Sequence, residues 1–150
     1  MTDLSLALDD QLCFKLYAAS RAVTRAYKPM LDQLRLTYPQ YLVMLVLWEW
    51  QAAAVSQPTV KALGERLMLD SGTLTPLLKR LEQLALVRRQ RSAQDEREVH
   101  LSLTDEGRHL RDQVQPLKAR LLCDSGVDLN QADALRDGLD QLLRQIKDLS

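Results

Sequence analysis

The chain has 150 residues, 46% of them hydrophobic and 27% charged, and its 20 acidic and 20 basic residues give a formal net charge of zero. This is ordinary composition for one globular domain with a real core, and the balance excludes a chain that is basic throughout, so any nucleic-acid surface must be local. The longest apolar run, Tyr41 to Trp48, is too short for a membrane span, Met1 to Asp10 is acidic with no leader pattern, and two cysteines 110 positions apart make neither a disulfide framework nor a zinc site; the expected protein is cytoplasmic and free of membrane, metal and cofactor.

From Leu12 the apolar positions Leu12, Leu16, Ala19, Val23, Met30 and Leu34 recur mostly at steps of three and four, one stripe of a long helix with Cys13 beside it. Thr37-Tyr38-Pro39-Gln40 has the spacing of a capping box, with Leu36 and Tyr41 placed as a hydrophobic staple. It opens a second, very apolar helix to about Trp50. After loop signals ending at Pro58, Val60, Leu63 and Leu67 mark a short helix that stops near Met68. Asp70-Ser71-Gly72 then starts another, with Leu74, Leu77, Leu78, Leu81 and Leu84 on one face and Gly72, Thr75, Pro76, Lys79 and Gln83 on the other. A short helix, a tight turn and a half-polar helix form a helix-turn-helix pattern.

Past Leu84 the period changes to two. Val87 to Arg91 is one strand, Val99, Leu101 and Leu103 line another, and Ser92 to Arg97 is a polar hairpin tip. Thr104-Asp105-Glu106 opens a helix continuing to about Cys123, which Pro116 should kink. The last segment begins at Asp128 and repeats Leu135, Leu139, Leu142, Ile146 and Leu149 at alternating steps of four and three, a coiled-coil-like seam. The expected fold is mainly α, a winged helix-turn-helix with a two-stranded β wing. Within a single 1–150 chain, residues 1–50 form sensing and dimerisation helices, 51–104 the DNA-binding lobe, and 105–150 helices that complete the dimer interface.

Lys79, Arg80, Arg88, Arg89 and Arg91 surround the polar face of the second helix and the root of the hairpin with only Glu82 among them, a local positive footprint suited to phosphates. Ser71, Thr73 and Thr75 cluster at the helix start, where short side chains and free N–H groups can meet phosphates and base edges; Ser71 is also placed to cap the helix. Asp95 and Arg97 are two apart, so in an extended tip they share a face and the carboxylate can hold the guanidinium outward for a minor groove. His100 and His109 belong to no ligand cluster and receive no role.

Leu74-Thr75-Pro76-Leu77-Leu78-Lys79-Arg80-Leu81-Glu82, the Asp95-Glu96-Arg97 wing and Leu103-Thr104-Asp105-Glu106-Gly107 resemble the MarR-type winged-helix repressors along nearly the whole chain. The resemblance implies a homodimer joined through both terminal helical regions and a pseudo-palindromic double-stranded operator, read by two recognition helices and two wings. Leu12-Cys13-Phe14-Lys15-Leu16-Tyr17, Tyr27 and Thr37-Tyr38-Pro39-Gln40-Tyr41 are similar to that family's organic-hydroperoxide-resistance branch.

That narrower likeness implies that Cys13 senses organic hydroperoxide and that Tyr27 and Tyr38 reach it from the partner subunit, with Tyr17 nearby. Phenols donating to sulfur stabilise a thiolate, the nucleophile that opens the O–O bond to give a sulfenic acid. Leu122-Cys123-Asp124-Ser125 resembles the resolving region of two-cysteine members, which implies an intersubunit disulfide between Cys13 and Cys123 that releases the operator, an external thiol being the other candidate for the resolving role. The protein is expected to be no enzyme. The competing readings are a repressor released by a small aromatic ligand with Cys13 merely buried, a cysteine peroxidase, for which no C-x-x-C or βαβ pattern is present, and a helical dimerisation module without DNA contact.

Overall fold

The computed structural model describes residues 4–147. After a 3₁₀ turn at Leu8–Asp10, the order is α1 (Leu12–Leu34), α2 (Tyr38–Ala52), α3 (Val60–Leu67), α4 (Ser71–Gln83), β1 (Val87–Arg91), β2 (Val99–Leu103), α5 (Asp105–Ser125) and α6 (Leu129–Lys147). The chain divides into two compact units, Met1–Gln115 and Pro116–Ser150.

In the first unit, each short element is fixed by a polar start. The capping box at α2 is complete: Gln40 N–H donates to the Thr37 hydroxyl, and Thr37 N–H donates to the Gln40 side chain at 3.0 Å. Thr59 caps α3. Asp70, not Ser71, caps α4, accepting from Thr73 N–H at 2.7 Å. Leu74, Leu78 and Leu81 of α4 are buried, with Leu77 and Leu84 half-buried, and they join Leu63 of α3 and Val43, Met44, Leu47 and Trp48 of α2 in the core. Gly72, Thr75, Pro76, Lys79 and Gln83 stay exposed, the division that the helical period predicts.

β1 and β2 pair antiparallel with Val87 opposite Leu103 and Arg91 opposite Val99. Leu101 N–H donates to the Pro58 carbonyl at 2.8 Å, and Thr59 bridges His100, which ties the wing to the entry of α3. The root of the wing is fixed from the other side. Buried Trp48 donates its indole N–H to the Gly107 carbonyl at 2.8 Å, and a Cβ at Gly107 would collide with the Leu86 carbonyl oxygen. Only glycine permits that approach.

The apolar stripe of α1 is not buried along its length. Met30, Leu31 and Leu34 enter the core, whereas Leu12, Tyr17 and Val23 are exposed. In the second unit, α6 buries no residue, and Leu135 and Ile146 of the expected seam are exposed, with Leu139 and Leu142 half-buried; Leu149 lies outside the described residues. The helical assignment of α5 is unbroken through Pro116, where the division between the units falls.

Candidate functional site

The first candidate surface is the exposed face of α4 with the wing. Ser71, Thr73, Thr75, Lys79 and Arg80 are all exposed. The Thr75 hydroxyl donates to the Ser71 carbonyl at 2.8 Å, so its lone pairs remain for an incoming donor. Hydrogen bonds from Thr73, the backbone N–H foremost, hold the Asp70 carboxyl below its ordinary value, leaving an ionised cap at the helix start.

At the wing tip, the Asp95 carboxylate accepts from both the backbone N–H and the guanidinium Nε of Arg97, at 3.0 and 3.2 Å. The two residues lie in a turn rather than in an extended strand. The pairing therefore comes from local turn chemistry and not from a shared strand face. Arg97 has 91% of its side chain exposed and projects from this anchor. Arg91 donates to the Glu96 carbonyl at 2.6 Å, closing the tip.

Arg89 behaves differently from the other basic residues. Its Nε donates to Glu82 of α4, and both side chains are about one-third exposed. The structure thus separates it from Lys79 and Arg80, which are exposed and make no ion pair among the described residues.

The second candidate surface centres on Cys13, exposed in the first turn of α1. Tyr17, one turn further, is exposed and carries the Arg21 guanidinium 5.4 Å from its ring centre. Tyr27 and Tyr38 meet edge to face at 5.4 Å, and Tyr41 packs against both, at 5.9 and 6.2 Å. The structure brings these three tyrosines together but not with the Cys13 of their own chain. Fourteen helical residues separate Cys13 from Tyr27, a rise of about 21 Å along one axis.

Burial, and then the neighbouring Tyr38, raises the Tyr27 phenol above its ordinary value; burial followed by Tyr27 and Tyr38 pushes Tyr41 up to about 12. Both remain protonated donors near neutral pH. The Tyr41 hydroxyl is buried without a hydrogen-bond partner among the described residues. Sequence reasoning gave Tyr41 only a packing role, and its position one helical turn after Tyr38 was the available signal. Cys123 is exposed near the end of α5, in the second unit. Among the described residues there is no group of three metal-binding side chains and no helix long and apolar enough to cross a membrane.

Residues 25–114 match the family described as transcriptional regulator SarA/Rot. The organic hydroperoxide resistance transcriptional regulator of Bacillus subtilis (strain 168) is 50% identical over 129 residues, covering 84% of each chain. Among solved structures, reduced AbfR bound to DNA aligns with a TM-score of 0.82 at 35% identity, covering 97% of this chain and 99% of that one. The disulfide form of AbfR, a Staphylococcus epidermidis protein, aligns at 0.60 with 37% identity over 95% and 91% of the two chains. A helix-turn-helix with its polar face free, a wing ending in a tethered arginine and these similarities together make the chain a member of the SarA/Rot and MarR-type winged-helix family, a DNA-binding transcriptional regulator of the organic-hydroperoxide-resistance kind.

Proposed function

We propose that the protein is a cytoplasmic, homodimeric repressor, not an enzyme, which leaves its operator when organic hydroperoxide oxidises Cys13. The observation that carries this reading is the exposed thiol on an uncovered apolar stripe. Leu12 and Tyr17 flank Cys13 without entering the core, Val23 further along α1 is also exposed, and Tyr27 and Tyr38 are too far away to serve their own cysteine. A second copy laid against α1 would cover the stripe and bring those phenols to the sulfur.

The thiolate attacks the outer peroxide oxygen, forming S–O as O–O breaks; sulfur is oxidised to the sulfenic acid, and the alkoxide that leaves takes up a proton to become the alcohol. Surrounding apolar side chains favour an organic peroxide over an aqueous one. The sulfenic acid then condenses with a thiol, releasing water and forming a disulfide. Cys123 of a second copy is the proposed resolving thiol, supported by its exposure and by the disulfide form of AbfR. Ser71, Thr73, Thr75, Lys79, Arg80 and Arg97 are the proposed DNA contacts, with Asp95 holding Arg97.

The test is operator binding before and after one equivalent of tert-butyl hydroperoxide, with non-reducing mass spectrometry of the same samples. The wild type is expected to leave DNA as a Cys13–Cys123 disulfide forms. Cys13→Ser is expected to stay bound, and Cys123→Ser to reach the sulfenic acid without the disulfide. Release of wild-type protein with both thiols unoxidised would overturn the redox reading, and a Cys13–Cys13 disulfide would remove Cys123 alone.

A further inference from the structure

We propose that Glu82 and Arg89 are positioning residues for DNA reading, an ion pair that sets the wing against the recognition helix and holds Arg89 away from the phosphate backbone. The proposal rests on the DNA-binding fold and is independent of the redox reading.

α4 passes into β1 through Leu84, Ala85 and Leu86, with Ala85 in a left-handed conformation at φ 60°. Leu84 N–H returns to the Arg80 carbonyl, Ala85 N–H to Glu82 and Leu86 N–H to Leu81, while Thr104 just past β2 donates its hydroxyl to the Ala85 carbonyl at 2.6 Å and its N–H to the Leu86 carbonyl at 3.1 Å. These bonds fix the root of the turn, and the Glu82–Arg89 bridge is the side-chain tie from α4 to the strand beyond it. Glu82 lies before this turn and Arg89 after it. Their side chains close a bridge across the junction, with the Arg89 Nε donating to the Glu82 carboxylate. Arg89 pairs in register with buried Leu101, so the bridge ties the helix to the middle of the paired strands.

Small angular errors at this junction are amplified. Five strand residues extend about 17 Å, so a slack of about 10° displaces the tip by about 3 Å, the width of one hydrogen bond. Arg97 sits at that tip. Because each side chain is about one-third exposed, the pair is screened less than a fully solvated one and Arg89 is committed to Glu82. Breaking it should loosen the wing and release a cation that binds any phosphate.

The experiment compares Glu82→Gln, Arg89→Gln and the charge-swapped double variant Glu82→Arg/Arg89→Glu in the full chain. Affinity is measured for operator and for random-sequence duplex across a salt series, with thermal melts as the folding control. Each glutamine variant is expected to weaken operator binding by about five- to tenfold. Arg89→Gln should leave the operator salt slope unchanged, Glu82→Gln should bind random duplex more tightly than wild type, and the swap should return operator affinity to within about threefold.

A fall of about 0.9 in the operator salt slope on Arg89→Gln would make Arg89 a phosphate contact and overturn the proposal. Tighter operator binding by Glu82→Gln would overturn it too, since the glutamate would then merely repel DNA. So would a silent single variant, or a folded swap that recovers nothing. If the swapped chain melts below the assay temperature, the two glutamine variants decide through those same readouts.

Discussion

At the scale of single residues, the two surfaces use polar groups differently. Arg97 is anchored at its root by Asp95 and exposed at its end, so its work lies outside its own fold. Arg97→Ala is expected to weaken operator binding about tenfold with an unchanged melting temperature, as checked by fluorescence anisotropy and differential scanning calorimetry. The tyrosines are embedded among themselves. Tyr27→Phe or Tyr38→Phe removes one hydroxyl and keeps the ring contacts, so Cys13 oxidation should slow several-fold in stopped-flow peroxide assays while reduced-state DNA affinity is retained. Equal oxidation rates in wild type and both variants would end their assignment as thiolate donors.

Charge type and spacing made Arg97 legible in the sequence, because aspartate two positions earlier suffices to anchor it. Arg89 was not legible as a paired residue. Its partner lies seven positions back across a turn whose left-handed residue is an alanine, and nothing in the local period shows the two side chains converging. Tyr41 was read as a staple because its burial follows from the apolar period; the orphaned hydroxyl depends on what packs above it, which only tertiary structure supplies.

At the scale of elements, polar caps announced helix starts and the apolar period ran out close to the observed ends, but the residues that close several helices carry no glycine signal. α1 and α3 close on Arg35 and Met68, and the turn after α4 on Ala85, all left-handed without glycine. The recognition helix depends on Asp70. Asp70→Ala should lower the melting temperature by a few degrees and weaken DNA binding, whereas Asp70→Asn should keep the cap. The Asp70 carboxyl titrates lower folded than unfolded, so its contribution is full above the unfolded value and fades as pH falls through the folded one. Melting curves between about pH 7 and pH 3 should therefore show a smaller acid-dependent loss for Asp70→Asn than for wild type. Equal acid limbs would assign the carboxyl no such role.

At the scale of the whole molecule, zero net charge leaves the proposed recognition to the local cations of α4 and the wing, and the exposed apolar stripes support the proposed second copy. α6 has 19 residues and buries none of them, and its Leu129, Leu135, Leu143 and Ile146 are exposed. Periodicity showed which side of α6 is apolar; it is silent on what covers that side. In the proposed dimer, Leu135, 64% exposed, is a seam position. Leu135→Asp should shift sedimentation from dimer toward monomer and lower operator affinity by at least tenfold, through loss of two-site engagement. Sedimentation unchanged from wild type would place the interface elsewhere.

The bond from the Trp48 indole to the Gly107 carbonyl also makes the wing root optically visible. Its emission should be blue-shifted, since the ring is buried, while Trp50 is only half-buried and would contribute a redder band. In a Trp50→Phe chain a single tryptophan, excited beyond the tyrosine absorption band, then reports on the junction where the second helix, the wing and the start of α5 meet. Any state of the regulator that pulls this junction apart hydrates the indole and moves its colour to the red, so opening of the wing root would be seen in real time without attaching a dye.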